Sequence, residues 1–156
     1  MTRIRVRVTG DPWPEYEERL HAVCQRIVAS RGRHPSITEG VTAVALKLLE
    51  RFLGVDPEAL IRASGPEAIA AGAVHAALRW RFTPGRKPSA AEVARWYGVS
   101  AASVSARSLE LRRTVERAGT SAQAIQRAAW EARGGPRAEQ EVGDLAFLLE
   151  RLARRR

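Results

Sequence analysis

The sequence has little cysteine, little lysine and no long apolar run. It has one cysteine in 156 residues, Cys24, so no disulfide can form within the chain and a cytoplasmic location is expected. The longest nearly apolar run, residues 68–78, is far shorter than the about 20 residues that a membrane-spanning helix needs. The opening MTRIRVRV interleaves charges with apolar residues, unlike a secretory signal. We therefore expect no association with a membrane.

The sequence also lacks the residue constellations that carry catalysis. A metal site built on Cys24 and His21 would need two more ligands, and only His34 and His75 could supply them. The loop at residues 83–88 contains glycine and lysine but not the full phosphate-binding P-loop pattern. We find no nucleophile elbow and no plausible pairing of a histidine with a carboxylate. The prediction is no enzymatic activity, no cofactor and no metal, with Cys24 a buried thiol and His75 a hydrogen-bonded core histidine.

Positive charge, carried almost entirely by arginine, is what the chain has in excess. The formal net charge is +9, and of the 26 basic residues only Lys47 and Lys87 are lysines. Arginine suits phosphate recognition, so nucleic acid is the first partner that this composition indicates. A GC-rich genome or a hot habitat would produce the same bias, and the composition alone leaves both explanations open. With 45% hydrophobic residues, the chain can bury a core of ordinary size.

The hydrophobic pattern predicts an all-α fold preceded by one short β-strand. Residues 3–8 alternate arginine with isoleucine or valine, which is typical of a half-buried strand whose basic side is solvated or contacts phosphates. Apolar stripes at helical spacing predict a helix from near Pro14 and a second one opened by an S-x-x-E capping box at Ser36 and Glu39. Residues 66–82 are apolar on nearly every side, which predicts a central helix surrounded by others.

Residues 89–113 have the pattern of a helix-turn-helix. Ser89 and Glu92 form another capping box, Gly98 suits a left-handed turn position, and Ser100 is a good N-cap for the following helix. A small residue before the turn, a glycine in it and a β-branched residue after it are typical of this motif. An ordinary helical corner would have the same pattern, so the motif by itself does not establish a function.

The order of these parts resembles the cyclin-box repeat of archaeal and eukaryotic transcription factor B. The resemblance covers about residues 14–117, and its strongest parts are IAAGAVHAALRW and KPSAAEVARWYGVSAASVSARSLEL. It implies a cyclin-like five-helix bundle in which the last two helices form the helix-turn-helix, and it raises DNA binding as a function. Transcription factor B has two repeats and a zinc ribbon, whereas this chain has room for one repeat and has one cysteine. The chain is also similar to a bacterial cyclin-like domain of unknown function.

Three segments are predicted on this basis. Residues 1–12 form an N-terminal strand or arm, residues 13–118 form the cyclin-like helical domain with the helix-turn-helix at 89–113, and residues 119–156 form a C-terminal helical extension. Within that extension, apolar residues between 142 and 152 predict a last helix whose leucine stripe packs on this domain or on a second copy of the chain.

Binding of double-stranded DNA in a transcription-related role is the first functional prediction. Ser100, Ser103 and Ser105 are expected at the start of the second helix of the motif, where such a helix meets base edges. The basic residues expected to contact phosphates are Arg86, Lys87, Arg95, Arg107, Arg112 and Arg113. Because serine and alanine offer no bidentate contact to a base, sequence-specific readout would be modest.

The alternative is a protein-interaction module, or a structural domain of cyclin-like fold with no nucleic-acid partner. A partner helix or a second copy of the chain would then dock on the bundle. The expected anchors, if they are exposed, are Trp80, Trp96, Tyr97 and Trp130. Full burial of all four side chains would count against this alternative.

Overall fold

The part of the chain that the structure describes folds into seven helices joined by turns. The computed structural model describes residues 13–63, 65–80 and 87–132. The helices are α1 (Trp13–Ala29), α2 (Glu39–Val55), α3 (Glu58–Arg62), α4 (Pro66–Trp80), α5 (Ala90–Tyr97), α6 (Ala101–Arg117) and α7 (Ala122–Ala132). The all-α prediction is confirmed for these residues. The strand predicted at residues 3–8 and the leucine-rich helix predicted between 142 and 152 lie outside them.

α4 is the central helix because nearly its whole surface is apolar and small. Residues 69–78 are all buried, and the helix packs against α1, α2, α5 and α6. Its many alanines leave a thin cylinder that neighbours can approach from several sides. Its most extensive contact is with α6. The predicted central position of this helix is confirmed, and its described end is Trp80.

α2 supplies many of the large apolar side chains of the core. Every residue from 40 to 50 is buried, and Phe52 is among the largest of the fully buried side chains. Burial of each such side chain stabilises the fold by about 1.5–3 kcal/mol relative to exposure. α2 contacts α1, α4, α6 and α7, so the first described helix of the predicted C-terminal extension packs on the same core. In the ranges described, no helix has the length and apolar character needed to cross a lipid bilayer.

The capping pattern in the sequence predicts the start of α5 correctly but not the start of α2. α2 begins after Thr38, whose side-chain oxygen accepts a hydrogen bond from the backbone N–H three residues later at 3.2 Å. The predicted cap Ser36 is therefore wrong, and its backbone N–H instead donates to Nδ1 of His34 at 3.1 Å. α5, in contrast, begins at the predicted capping box, with both hydrogen bonds between Ser89 and Glu92 present. Two hydroxyl residues compete before α2, and the pattern alone does not choose between them.

α4 and α6 approach each other closely at Gly72. A Cβ atom added there would lie 2.4 Å from Cβ of Arg107 and 3.0 Å from the backbone carbonyl carbon of the same residue. Contacts this short are sterically forbidden, so a glycine is needed for the two helices to pack at this separation. The close approach brings His75 of α4 to hydrogen-bonding distance of Ser108 of α6. It therefore fixes which side of α6 faces the core.

Replacing Gly72 by alanine is expected to destabilise the fold by about 1–3 kcal/mol, the range for an overpacked core. This steric cost exceeds the gain of up to about 1 kcal/mol that alanine brings through helix propensity. Gly54→Ala is the matched control, because Gly54 lies in α2 with nothing within 4 Å of an added Cβ. That variant should be more stable than the parent by about 0.5–1 kcal/mol.

Equilibrium urea unfolding measures both changes on the same scale. A Gly72→Ala protein as stable as the parent would show that the two helices separate without penalty, contrary to the close packing described above.

Candidate nucleic-acid interface

α5 and α6 are joined by a tight turn that has the predicted local geometry. Gly98 ends α5 in the left-handed conformation, with φ 68° and ψ 33°. Ser100 caps α6 by accepting a hydrogen bond from the backbone N–H of Ser103. Val93 of α5 and Val104 of α6 are fully buried, and the two helices pack against each other. We call residues 89–117, which contain both helices and the turn, the α5–α6 corner.

The first turns of α6 present a small and uncharged surface to solvent. The exposed side chains there are Ala101, Ala102, Ser105 and Ala106, and no acidic residue lies in the first turn. Further along the same side of the helix lie Leu109, which is 38% exposed, and Arg113. At about 1.5 Å per residue, the helix is about 25 Å long. A helix of this length with small outward side chains can enter a nucleic-acid groove with its backbone close to the base edges.

The three predicted serines are not equivalent. The hydroxyl of Ser100 donates to the side-chain oxygen of Ser103 at 3.0 Å and accepts from the backbone N–H of that residue at 3.0 Å. Ser100 is therefore committed to the helix cap. Ser103 is half buried but retains its own hydroxyl hydrogen for another partner. Ser105 is exposed and is the serine best placed to contact a ligand.

The predicted basic residues are distributed over more than one side of the corner. Arg95 of α5 and Arg113 of α6 are exposed, and neither makes an ion pair within the part of the chain that is described. Lys87 is half buried just before α5. Arg86 lies outside the described residues. Arg95 and Arg113 are therefore the members of the set that are available to an external phosphate.

Arg107 and Arg112 lie on opposite flanks of α6. They are five residues apart, which places them about 140° apart around an ideal helix. Arg107 pairs with Glu110, with 2.7 Å between the guanidinium Nη1 and the carboxylate Oε1. Arg112 is half buried, and its Nε has no hydrogen-bond partner among the described residues. The structure therefore does not bring these two residues together as one phosphate-binding group.

Arg79 is a basic residue of this region that the sequence did not single out. It follows His75 by one turn on α4, and Arg112 follows Ser108 by one turn on α6. Nδ1 of His75 and Oγ of Ser108 are 2.9 Å apart, and Arg79 and Arg112 are close enough for their charges to interact. Burial lowers the pKa of Arg112, and the charge of Arg79 lowers it further. The only sequence signal is an equal four-residue spacing in two helices, which has meaning once their packing is known.

His75 is a buried, hydrogen-bonded core histidine, as predicted. It is 8% exposed, and its partner is the fully buried Ser108. Burial lowers the pKa of His75 from 6.5 to about 4, and the charges of Arg79 and Arg112 act in the same direction. His75 is therefore neutral at pH 7 and adds no positive charge to the corner.

Cys24 is also buried, as predicted, and is 0% exposed. Burial raises the pKa of its thiol to about 12, with a further contribution from the charge of Glu50. At neutral pH the group is a protonated thiol, which is a poor nucleophile and a poor metal ligand. Within residues 13–63, 65–80 and 87–132, no group of three or more histidine, cysteine, aspartate or glutamate side chains could hold a metal ion.

The stability of the fold should depend on pH through His75. Its folded-state pKa of about 4 lies below the ordinary value of 6.5, so the unfolded chain binds the proton more readily between these values. The stabilisation from neutral His75 is complete above about pH 6.5 and declines as the pH falls toward 4. The difference in unfolding free energy between the parent and His75→Gln should therefore shrink over this range.

Urea unfolding at a series of pH values measures that difference. His21→Gln, at an exposed position of α1, is the matched control and should follow the parent curve. A difference for His75→Gln that stays constant from pH 6.5 to 4 would contradict the lowered pKa.

Comparison of the chain with models of known protein families, with characterised proteins and with solved structures gives no match. The resemblance to the cyclin-box repeat therefore stays a prediction.

Proposed function

We propose that the chain binds double-stranded DNA through the α5–α6 corner, used as a helix-turn-helix. The main support is the exposed start of α6 with its small uncharged side chains, together with Arg95 and Arg113, which are exposed and make no ion pair within the described residues. Small side chains let the helix approach the base edges, while arginines on both helices reach phosphates. The net charge of +9 adds long-range attraction to a polyanion.

In this proposal the backbone contacts provide most of the affinity and the bases contribute little. Ser105 can exchange one hydrogen bond with a base edge, and the exposed alanines of α6 can contact thymine methyl groups. No arginine, asparagine or glutamine lies on the exposed side of the first two turns of α6 to form a bidentate base contact. Weak discrimination between sequences and strong dependence on salt follow from this arrangement.

The rest of the bundle would act as a rigid support, as in the cyclin-box repeat that the sequence resembles. α4 is thin and fully packed, and α6 lies against it over a long contact, so the corner is held in one orientation. A transcription-related role belongs to the same proposal, because the sequence resembles transcription factor B. A cytoplasmic location, expected from the single cysteine, is part of it as well.

Reversing the charges of Arg95 and Arg113 should weaken binding to duplex DNA and flatten its salt dependence. If each arginine neutralises one phosphate, the slope of log K against log salt should fall by about 1.8 in Arg95→Glu/Arg113→Glu. Fluorescence anisotropy with a labelled duplex over a salt series gives both the affinity and the slope.

Arg51→Glu/Arg127→Glu is the matched control, since it makes the same charge change at exposed positions on α2 and α7. It should keep most of the affinity and the full slope. Equal losses in the two double variants would mean that net charge alone drives binding, and the assignment to the corner would be wrong.

A protein partner is the second candidate, and Trp130 is the observation that favours it. Its side chain on α7 is 46% exposed, whereas Trp80, Trp96 and Tyr97 are partly buried. An exposed tryptophan is a frequent anchor of protein interfaces. A second copy of the chain is the simplest partner for it.

On this alternative, sedimentation velocity of the parent should show a concentration-dependent dimer that Trp130→Ala removes, while the affinity for DNA stays unchanged. A parent protein that stays monomeric over the measured concentrations would leave Trp130 without this role.

A further inference from the structure

We propose that Arg79 and Arg112 form a binding site for one phosphate group at the carboxyl end of α4. The site is formed by α4 and α6 and does not involve the small exposed surface at the start of α6. The two guanidinium groups would share the phosphate oxygens through charge-assisted hydrogen bonds. The inference does not require DNA binding, because a free phosphate and a backbone phosphodiester present the same kind of oxygen.

Arg112 is the exception among the partly buried arginines of the described residues. Arg19, Arg26 and Arg107 each pair with a carboxylate, at 3.1, 3.1 and 2.7 Å. Arg112 is half buried like these three arginines. Within the described ranges, however, its Nε has no hydrogen-bond partner and its guanidinium makes no ion pair. A buried guanidinium N–H without an acceptor is unfavourable, and a bound anion would satisfy it.

The charged neighbours of Arg112 add more positive charge than they remove. Arg79 and Arg113 both act on it as like charges, and among the described residues Glu116 is the carboxylate that opposes them. Glu116 is exposed and makes no ion pair with Arg112 within the described residues. Within the described part of the chain, three guanidinium groups with a single interacting carboxylate produce a positive potential that favours an anion.

The end of α4 offers limited compensation for these charges. Carbonyl groups at a helix C-terminus attract cations, which explains why Arg79 is tolerated there. The carbonyl oxygen of Trp80 already accepts a hydrogen bond from the side chain of Gln126 on α7. Arg79 is exposed and makes no ion pair in the part of the chain described, so its donors are free to bind a ligand beside Arg112.

His75 and Ser108 form a rigid base for the site. Their hydrogen bond, one turn before the two arginines on both helices, holds α4 and α6 in register. His75 is neutral at pH 7, so it does not itself attract the anion. It is a natural reporter of the site, because Arg79 and Arg112 both lower its pKa in addition to the effect of burial. An anion bound between the arginines would offset both charges and raise the pKa of His75.

NMR titration of the ring protons of His75 in the full chain tests the site directly. Inorganic phosphate should raise the pKa of His75 saturably, whereas chloride at equal ionic strength should not. Arg112→Gln and Arg79→Gln should each bind phosphate about tenfold more weakly, the loss expected for one charge-assisted hydrogen bond. Arg51→Gln, at an exposed position on α2, is the matched control and should bind phosphate as the parent does.

A short DNA duplex in phosphate-free buffer distinguishes the two sources of the phosphate group. A rise in the pKa of His75 with duplex in the parent, but not in Arg112→Gln, assigns the site to backbone phosphate. A response to inorganic phosphate alone assigns it to a free phosphate group. If neither ligand moves the pKa of His75, or if Arg112→Gln responds as strongly as the parent while its spectrum shows a folded protein, the proposal is wrong.

The two proposals fail separately. A chain that does not bind duplex DNA at all, but whose His75 still responds to inorganic phosphate through Arg112, would overturn the DNA-binding function and support the phosphate site.

Discussion

The packing of α6 against α4 at Gly72 determines what the α5–α6 corner presents to a ligand. With no side chain at that position, Cβ of Arg107 lies almost against the backbone of α4. This orientation buries Val104, Ser108, Leu111 and Val115 and leaves the opposite side of α6 in solvent. The same contact forms the hydrogen bond between His75 and Ser108 and places Arg79 beside Arg112. The exposed helix surface and the cationic site are therefore two results of one steric constraint.

Local features of the corner could be predicted from the sequence because few residues encode them. Ser89 with Glu92, Gly98 and Ser100 each act within one turn of the chain, so their roles do not depend on distant contacts. The central place of α4 was also predictable, since a helix that is apolar on nearly every side has to be enclosed. The start of α2 was not, because two hydroxyl residues two positions apart were equally suited to cap it.

The arrangement of the arginines could not be predicted, because it depends on how two helices pack. The sequence gives Arg107, Arg112 and Arg113 as one basic group, but helical geometry separates their directions and Glu110 neutralises the first. The electrostatic interaction between Arg79 and Arg112 joins residues 33 positions apart, as does the hydrogen bond between His75 and Ser108. Only the register set at Gly72 makes them neighbours.

The buried thiol of Cys24 has a consequence for how motion in this protein can be followed. The chain has one cysteine, and it lies on the face of α1 that packs on the core. A thiol that is shielded and protonated at neutral pH reacts with an alkylating reagent only while that helix is detached. The rate of alkylation of Cys24 therefore measures how often α1 detaches from the core. The measurement needs neither an engineered label nor a known ligand.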